Sequence, residues 1–378
     1  MKKIISALTV SALALGSIFA ADVSLEFTQK AYLYDKTGNK LEYTGYGDNS
    51  GEVAFTAKTD TAGVTFGFDP TNYENKAGNK GDITLDEYTG WVNFGEGAFK
   101  LQSGVWASRS VNRFNDNAGN WEDNEYERYK LGIMRGSWGS DINNLSGVNG
   151  DNYLSTALTF KNDSFYVSGI LLGLDGTGKK ADGKSATSGT YGTLDLVSGF
   201  GIEAGLAINE GTKLTVDFKT PKNKVIAIGA FVENTTLKEN LDFVAGFTLA
   251  QSDTNGSFEG AIDFRGEYAL GDNTTLTTMN NLTTTGSGNY ALWDMVSFAV
   301  QTSDTIQVLF TVEWEHMDLL NKTGISGNAQ GTLDLIPSVK YSPIDGVDLS
   351  AGLIINTTGW SEPSSAKVAI PFLLHVAI

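Results

Sequence analysis

Apolar residues in this chain recur at every second position, and the repeat returns along almost its whole length. Val23, Leu25 and Phe27 alternate with polar or small neighbours, as do Val53, Phe55 and Ala57, then Val64, Phe66 and Phe68. Phe99, Leu101 and Val105 follow, and later Leu214, Val216 and Phe218. Leu241, Phe243, Ala245, Phe247 and Leu249 make a longer set, while Phe258, Ile262, Phe264 and Tyr268 share a face with Gly260 and Gly266. Ile306, Val308, Phe310, Val312 and Trp314 come next, and the chain ends on Val368, Ile370, Phe372, Leu374, Val376 and Ile378. Successive strand residues point to opposite faces, so each run has one apolar face and one polar face. The pattern predicts an all-β chain.

A soluble β-sandwich would alternate in the same way. Three features separate this chain from one. The runs extend over about nine to twelve residues, as a tilted membrane strand requires. Aromatic residues such as Phe68, Phe94, Tyr268, Trp314 and Tyr341 stand toward the ends of the apolar faces, where an interfacial girdle would lie. Connections alternate between tight and long. Thr61-Ala62-Gly63, Gly95-Glu96-Gly97, Lys161-Asn162-Asp163, Asn209-Glu210-Gly211, Gly271-Asp272-Asn273 and Pro343-Ile344-Asp345-Gly346 are tight, whereas residues 109–151 form the longest connection.

Counting runs in this way predicts a closed antiparallel transmembrane β-barrel of about 18 strands, with both ends of the chain on one side. Sixteen is the alternative: Thr220–Asn223 is short for an outer loop, and Asn234–Asn240, after a strand at 224–232, is long for an inner turn. Pro337 and Pro371 lie inside predicted strands, at 330–341 and 366–378, where each removes a ladder donor. They are read as bulges or early strand ends.

The first twenty residues break the pattern. Met1-Lys2-Lys3 is basic, Ile4 to Ile18 is apolar, and Ile18-Phe19-Ala20 offers a small residue for cleavage, which predicts a signal peptide over 1–20 and a barrel over 21–378. An apolar run of about 15 falls short of the roughly 20 residues a spanning helix needs. The absence of cysteine fits an oxidising compartment and a fold without disulfides. Without Lys2 and Lys3, the 27 Lys and Arg become 25 against 44 Asp and Glu, a charge of −19. Such a charge argues against nucleic acid as a partner and suits a solvated surface, or a channel whose mouth attracts cations.

If the apolar faces meet lipid, the alternate residues line a lumen. Those are Glu259, Ala261, Asp263, Arg265 and Glu267 in one run, and Gln307, Thr311, Glu313 and Glu315 in another. Lys213, Thr215, Asp217 and Lys219 form a third set. The plainer alternative is the solvated face of a soluble sheet. Arginine is concentrated elsewhere. Of five in the chain, Arg109, Arg113, Arg128 and Arg135 lie in the long connection after the fifth strand, with Lys130 and with Asp116, Glu122, Asp123, Glu125 and Glu127. Trp121, Tyr126, Tyr129 and Trp138 interleave with them.

In strand spacing and in the place of this long connection, the chain resembles the general porins of bacterial outer membranes. The resemblance implies a homotrimer in outer-membrane lipid and passive diffusion of small hydrophilic solutes. It also implies that the loop after strand five folds into the lumen, with arginines facing carboxylates across a narrowed gap. Cation preference is the expectation from the charge. The alternatives are a sugar-selective channel using the loop aromatics, a surface-exposed adhesin or antigen, and an external loop whose charges form ordinary surface pairs.

No enzyme is expected. His316 stands near Glu313, Glu315 and Asp318, and His375 stands apart, but neither can be given a partner constellation. The Asp- and Asn-rich stretch 115–125 lacks the ligand spacing of a calcium loop. No metal or cofactor is expected.

Overall fold

The computed structural model describes residues 20–35, 49–69, 84–105, 153–175, 199–220, 224–238, 240–252, 256–285, 289–316, 319, 331–358 and 367–377. Nineteen strand segments run through them. β1 Ala20–Asp35, β2 Asn49–Lys58, β3 Ala62–Asp69, β4 Thr84–Phe94 and β5 Phe99–Val105 precede β6 Tyr153–Lys161, β7 Phe165–Asp175, β8 Gly199–Asn209 and β9 Thr212–Lys219. Next come β10 Lys224–Lys238, β11 Leu241–Ser252, β12 Phe258–Gly271, β13 Thr274–Thr285 and β14 Asn289–Ser303. The last are β15 Ile306–His316, β16 Gly331–Ile344, β17 Val347–Gly352, β18 Ile354–Thr358 and β19 Lys367–Ala377.

All pairings are antiparallel, and they join a single sheet in which neighbours in sequence are neighbours in space. β1 pairs with β2 on one side and with β19 on the other, so every described segment has a partner along both of its edges. An exposed edge would leave a row of unpaired N–H and C=O groups, which hydrocarbon does not tolerate. Connections of two to four residues, at 95–98, 162–164, 210–211, 272–273, 304–305 and 345–346, join strand ends on one side. The strand ends that flank residues 36–48, 70–83, 106–152 and 176–198 lie on the other side.

Two expectations need correction. Nineteen segments stand where eighteen strands, or sixteen, are predicted, because the predicted strand 347–356 is interrupted at Leu353. β17 and β18 both pair with β16 and β19, and so occupy one place in the ladder. The cause is the pair of prolines. In the β16 register Pro337 falls opposite Leu353, and in the β19 register Pro371 falls opposite Gly352. Leu353 still donates its N–H to the Pro337 carbonyl at 3.0 Å. Proline has no N–H to return, so that pair keeps half its bonding. On its other edge, Pro371 pairs with Tyr32 beside a bulge between Tyr32 and Tyr34. Both prolines thus act at irregularities, as their chemistry requires.

The second correction concerns β10, which runs on to Lys238 instead of ending at 232. Apolar alternation stops at Asn234, but main-chain pairing does not. Asn234 pairs with both Thr212 and Phe243, and its Nδ2 donates to Thr212 Oγ1 at 2.6 Å. The long inner turn thereby shrinks to 239–240.

The two faces of the sheet are inverted relative to a soluble protein. Along β15, Val308 and Phe310 are 43% and 46% exposed, whereas Thr311 is fully buried and Glu313 is 3% exposed. Thr159, Ser168, Glu203, Ser297 and Asp334 are likewise buried, while Phe66, Ile202, Phe247, Ile262 and Val339 are exposed. Water-soluble monomers rarely expose a continuous apolar surface of this extent.

Candidate functional site

The polar face is where the chemistry gathers, because period-two alternation sends the charged residue of each segment to the same side. On β7 and β8, Tyr166 is 1% exposed and its hydroxyl donates to Glu203 Oε1 at 2.9 Å. Gly205 makes room for that ring: a Cβ there would lie 2.0 Å from Tyr166 Cε1. Glu203 stands opposite Ser168 on β7 and Asp217 on β9. The neighbouring hydroxyls of Thr159 and Ser168 are 2.7 Å apart.

A second polar band crosses β14 to β18. Ser297 and Thr311 hydroxyls are 2.8 Å apart. Glu313 faces Asp334 across β15 and β16, and Asn356 Nδ2 donates to Asp334 Oδ1 at 2.6 Å. Burying a carboxylate without such donors would be costly. On β12, Arg265 pairs with Glu267 at 3.2 Å. Lys100 on β5 lies 5.8 Å from the Trp91 ring centroid. On the described strands, the carboxylates of Glu203, Asp217, Glu233, Asp242, Glu259, Glu267, Glu313, Glu315, Asp334 and Asp348 outnumber the cations Lys58, Lys100, Lys161, Lys213, Arg265 and Lys340 on this face. Carboxylates therefore predominate among the charged groups of this face.

Of the predicted wall residues, Glu259, Arg265, Glu267 and Glu313 alternate onto the polar face, and Asp263 lies in β12 opposite Gly246 and Asn281. The predicted constriction residues Arg109, Arg113, Arg128, Lys130, Arg135, Asp116, Glu122, Asp123 and Glu125 all lie outside the described residues, as does Asp318. His316 is parted from Glu313 and Glu315 by alternation. It points to the apolar side with Trp314, their rings 6.4 Å apart and edge to face. Alternation therefore puts His316 and the two glutamates on opposite faces of β15. His375, on β19, is on the polar face opposite Asp348 of β17.

The Tyr166–Glu203 pair escapes sequence reading. Its partners are 37 residues apart, and Tyr166 stands among Phe165, Val167 and Ile170 with nothing local to mark it.

No family model matches the chain, and no curated protein matches it by sequence. Solved structures do match in fold. OccK11 (OpdR) of Pseudomonas aeruginosa aligns with a TM-score of 0.53 at 7% identity, over 95% of this chain and 96% of that one. OprD of the same organism aligns at 0.53 and 7%, over 95% of each chain. The outer membrane protein OpdK, also from Pseudomonas aeruginosa, aligns at 0.52 and 9%, over 94% of this chain and 98% of that one. In fold, and over nearly its whole length, the chain resembles porin-like outer-membrane β-barrels.

Proposed function

We propose that the segments close into an 18-place barrel in the bacterial outer membrane, and that the barrel passes small hydrophilic solutes and ions by passive diffusion. The observation that carries this reading is the inverted pair of faces: apolar side chains exposed on one, carboxylates and hydroxyls gathered on the other. Sixteen to eighteen strands leave an aqueous channel in such a barrel. Residues 1–20 are the export signal in this reading, and 21–378 form the barrel. The likeness in fold to OpdK supports the location.

The excess of carboxylates on the polar face supports cation preference. Arg109, Arg113, Arg128, Lys130 and Arg135, with Asp116, Glu122, Asp123 and Glu125, then narrow the lumen between opposed rows of charge. A transverse field in such a gap admits polar solutes that align with it. A homotrimer in lipid is part of the same reading, and no reaction is assigned to the chain.

Purified protein in planar bilayers is expected to give discrete current steps that grow with salt concentration. Under a salt gradient the reversal potential should take the sign of cation preference. Absence of steps would overturn the diffusion reading, and anion preference would overturn the role given to the wall carboxylates.

A further inference from the structure

On β13 the apolar side carries polar groups between apolar ones. β13 alternates Leu276, Thr278, Asn280 and Leu282 onto the side where neighbouring strands present Phe264, Val296 and Phe298. Asn280 pairs in register with Asp294 of β14, which is flanked on its own strand and face by Leu292 and Val296. The three polar groups form a chain: Thr278 Oγ1 donates to Asn280 Oδ1 at 3.2 Å, and Asn280 Nδ2 donates to Asp294 Oδ1 at 2.7 Å. Among the described residues of the apolar face, Asp294 is the one carboxylate with apolar residues on both sides along its strand.

Hydrocarbon offers such a group neither solvation nor a donor, and a carboxylate facing lipid within the apolar band is costly. A membrane-embedded protein surface can supply both. The patch is self-complementary, because a donor, the Asn280 amide, and an acceptor, the Asp294 carboxylate, stand side by side on adjacent strands. A symmetry axis along the membrane normal brings the amide of one copy to the carboxylate of the next. Leu276, Leu282, Leu292 and Val296 surround the polar centre with apolar contact.

We infer that β13 and β14 form the contact between copies of this chain, with Asn280 and Asp294 at its centre. The inference rests on the barrel reading above and adds the place where subunits meet.

The natural chain has no cysteine, so a single introduced thiol reports its own surroundings. In outer-membrane fragments carrying full-length protein, Thr278→Cys and Leu292→Cys should be joined to a second copy by a short bismaleimide. Val167→Cys, exposed on the apolar face of β7, should not be joined. Adding Asn280→Leu and Asp294→Leu should abolish the adduct while the protein keeps its heat-modifiable migration. The inference is overturned if no adduct forms and a membrane-soluble maleimide labels positions 278 and 292 as readily as 167. Adducts that persist undiminished with both leucines present also overturn it. Rapid labelling of all three thiols by a membrane-impermeant, water-soluble maleimide is a different failure, since it would place the apolar face in water and refute the barrel reading itself.

Discussion

In the proposed barrel, Phe310→Arg is expected to destabilise the folded protein in bilayers by about 2–4 kcal/mol, the cost of a cation on a lipid-facing site near mid-membrane. Phe310 is 46% exposed on β15, with Val308 and Val312 on the same face of its strand. Across the ladder it meets Phe298 on one side and Pro337 on the other. An arginine there has no carboxylate on its own face at that level and must reach along the strand to interfacial water. Arginine in place of Asp242, which is exposed on the polar face, should change stability by no more than about 0.5 kcal/mol, as is usual for a surface site. Urea unfolding from lipid vesicles measures both. Equal small effects at the two sites would mean that both faces are wet.

Gly205→Val is expected to cost roughly 3 kcal/mol, from overpacking together with a lost bond to a charged group. Any Cβ at this position falls 2.0 Å from Tyr166 Cε1, so the ring must leave its place. The Tyr166 hydroxyl then loses its 2.9 Å bond to Glu203, a carboxylate only 1% exposed. In a Tyr166→Ala background the valine has no ring to displace, and its added cost should fall to about 1 kcal/mol or less. Contacting residues show such non-additivity, so the double-mutant cycle isolates the contact. Strict additivity of the two substitutions would remove Tyr166 from this account.

Alternation makes the two faces legible in the sequence. Ile306, Val308 and Phe310 are exposed on the apolar side, and Thr311 and Glu313 are buried on the other, as their spacing predicts. The tight turns were legible too, because Gly, Asn and Asp mark them. Main-chain pairing beyond an apolar run was less so: β10 continues to Lys238 through Thr235 and Thr236, whose side chains carry no alternating signal. Pro337 was visible inside its strand, yet the break appears in the neighbouring one at Leu353, since register decides which residue faces a missing donor.

The wall could be read only one strand at a time. Glu203 was absent from the predicted set, and its pairing with Tyr166 depends on how β7 and β8 align. The cluster on β13 had a local trace in Thr278 and Asn280, where the alternation of neighbouring strands would place apolar residues. His316 stands near Glu313 in sequence, but distance along a chain ignores the face a residue takes.

The central claim is that the polar face lines the conducting path. Single-channel recording of Glu259→Cys and Glu315→Cys, with a charged water-soluble thiol reagent added, tests it most directly. Current should fall in a discrete, irreversible step at both positions and stay unchanged for Phe264→Cys and Phe310→Cys. Unaltered current from the polar-face thiols, or block from the apolar-face ones, would contradict the account.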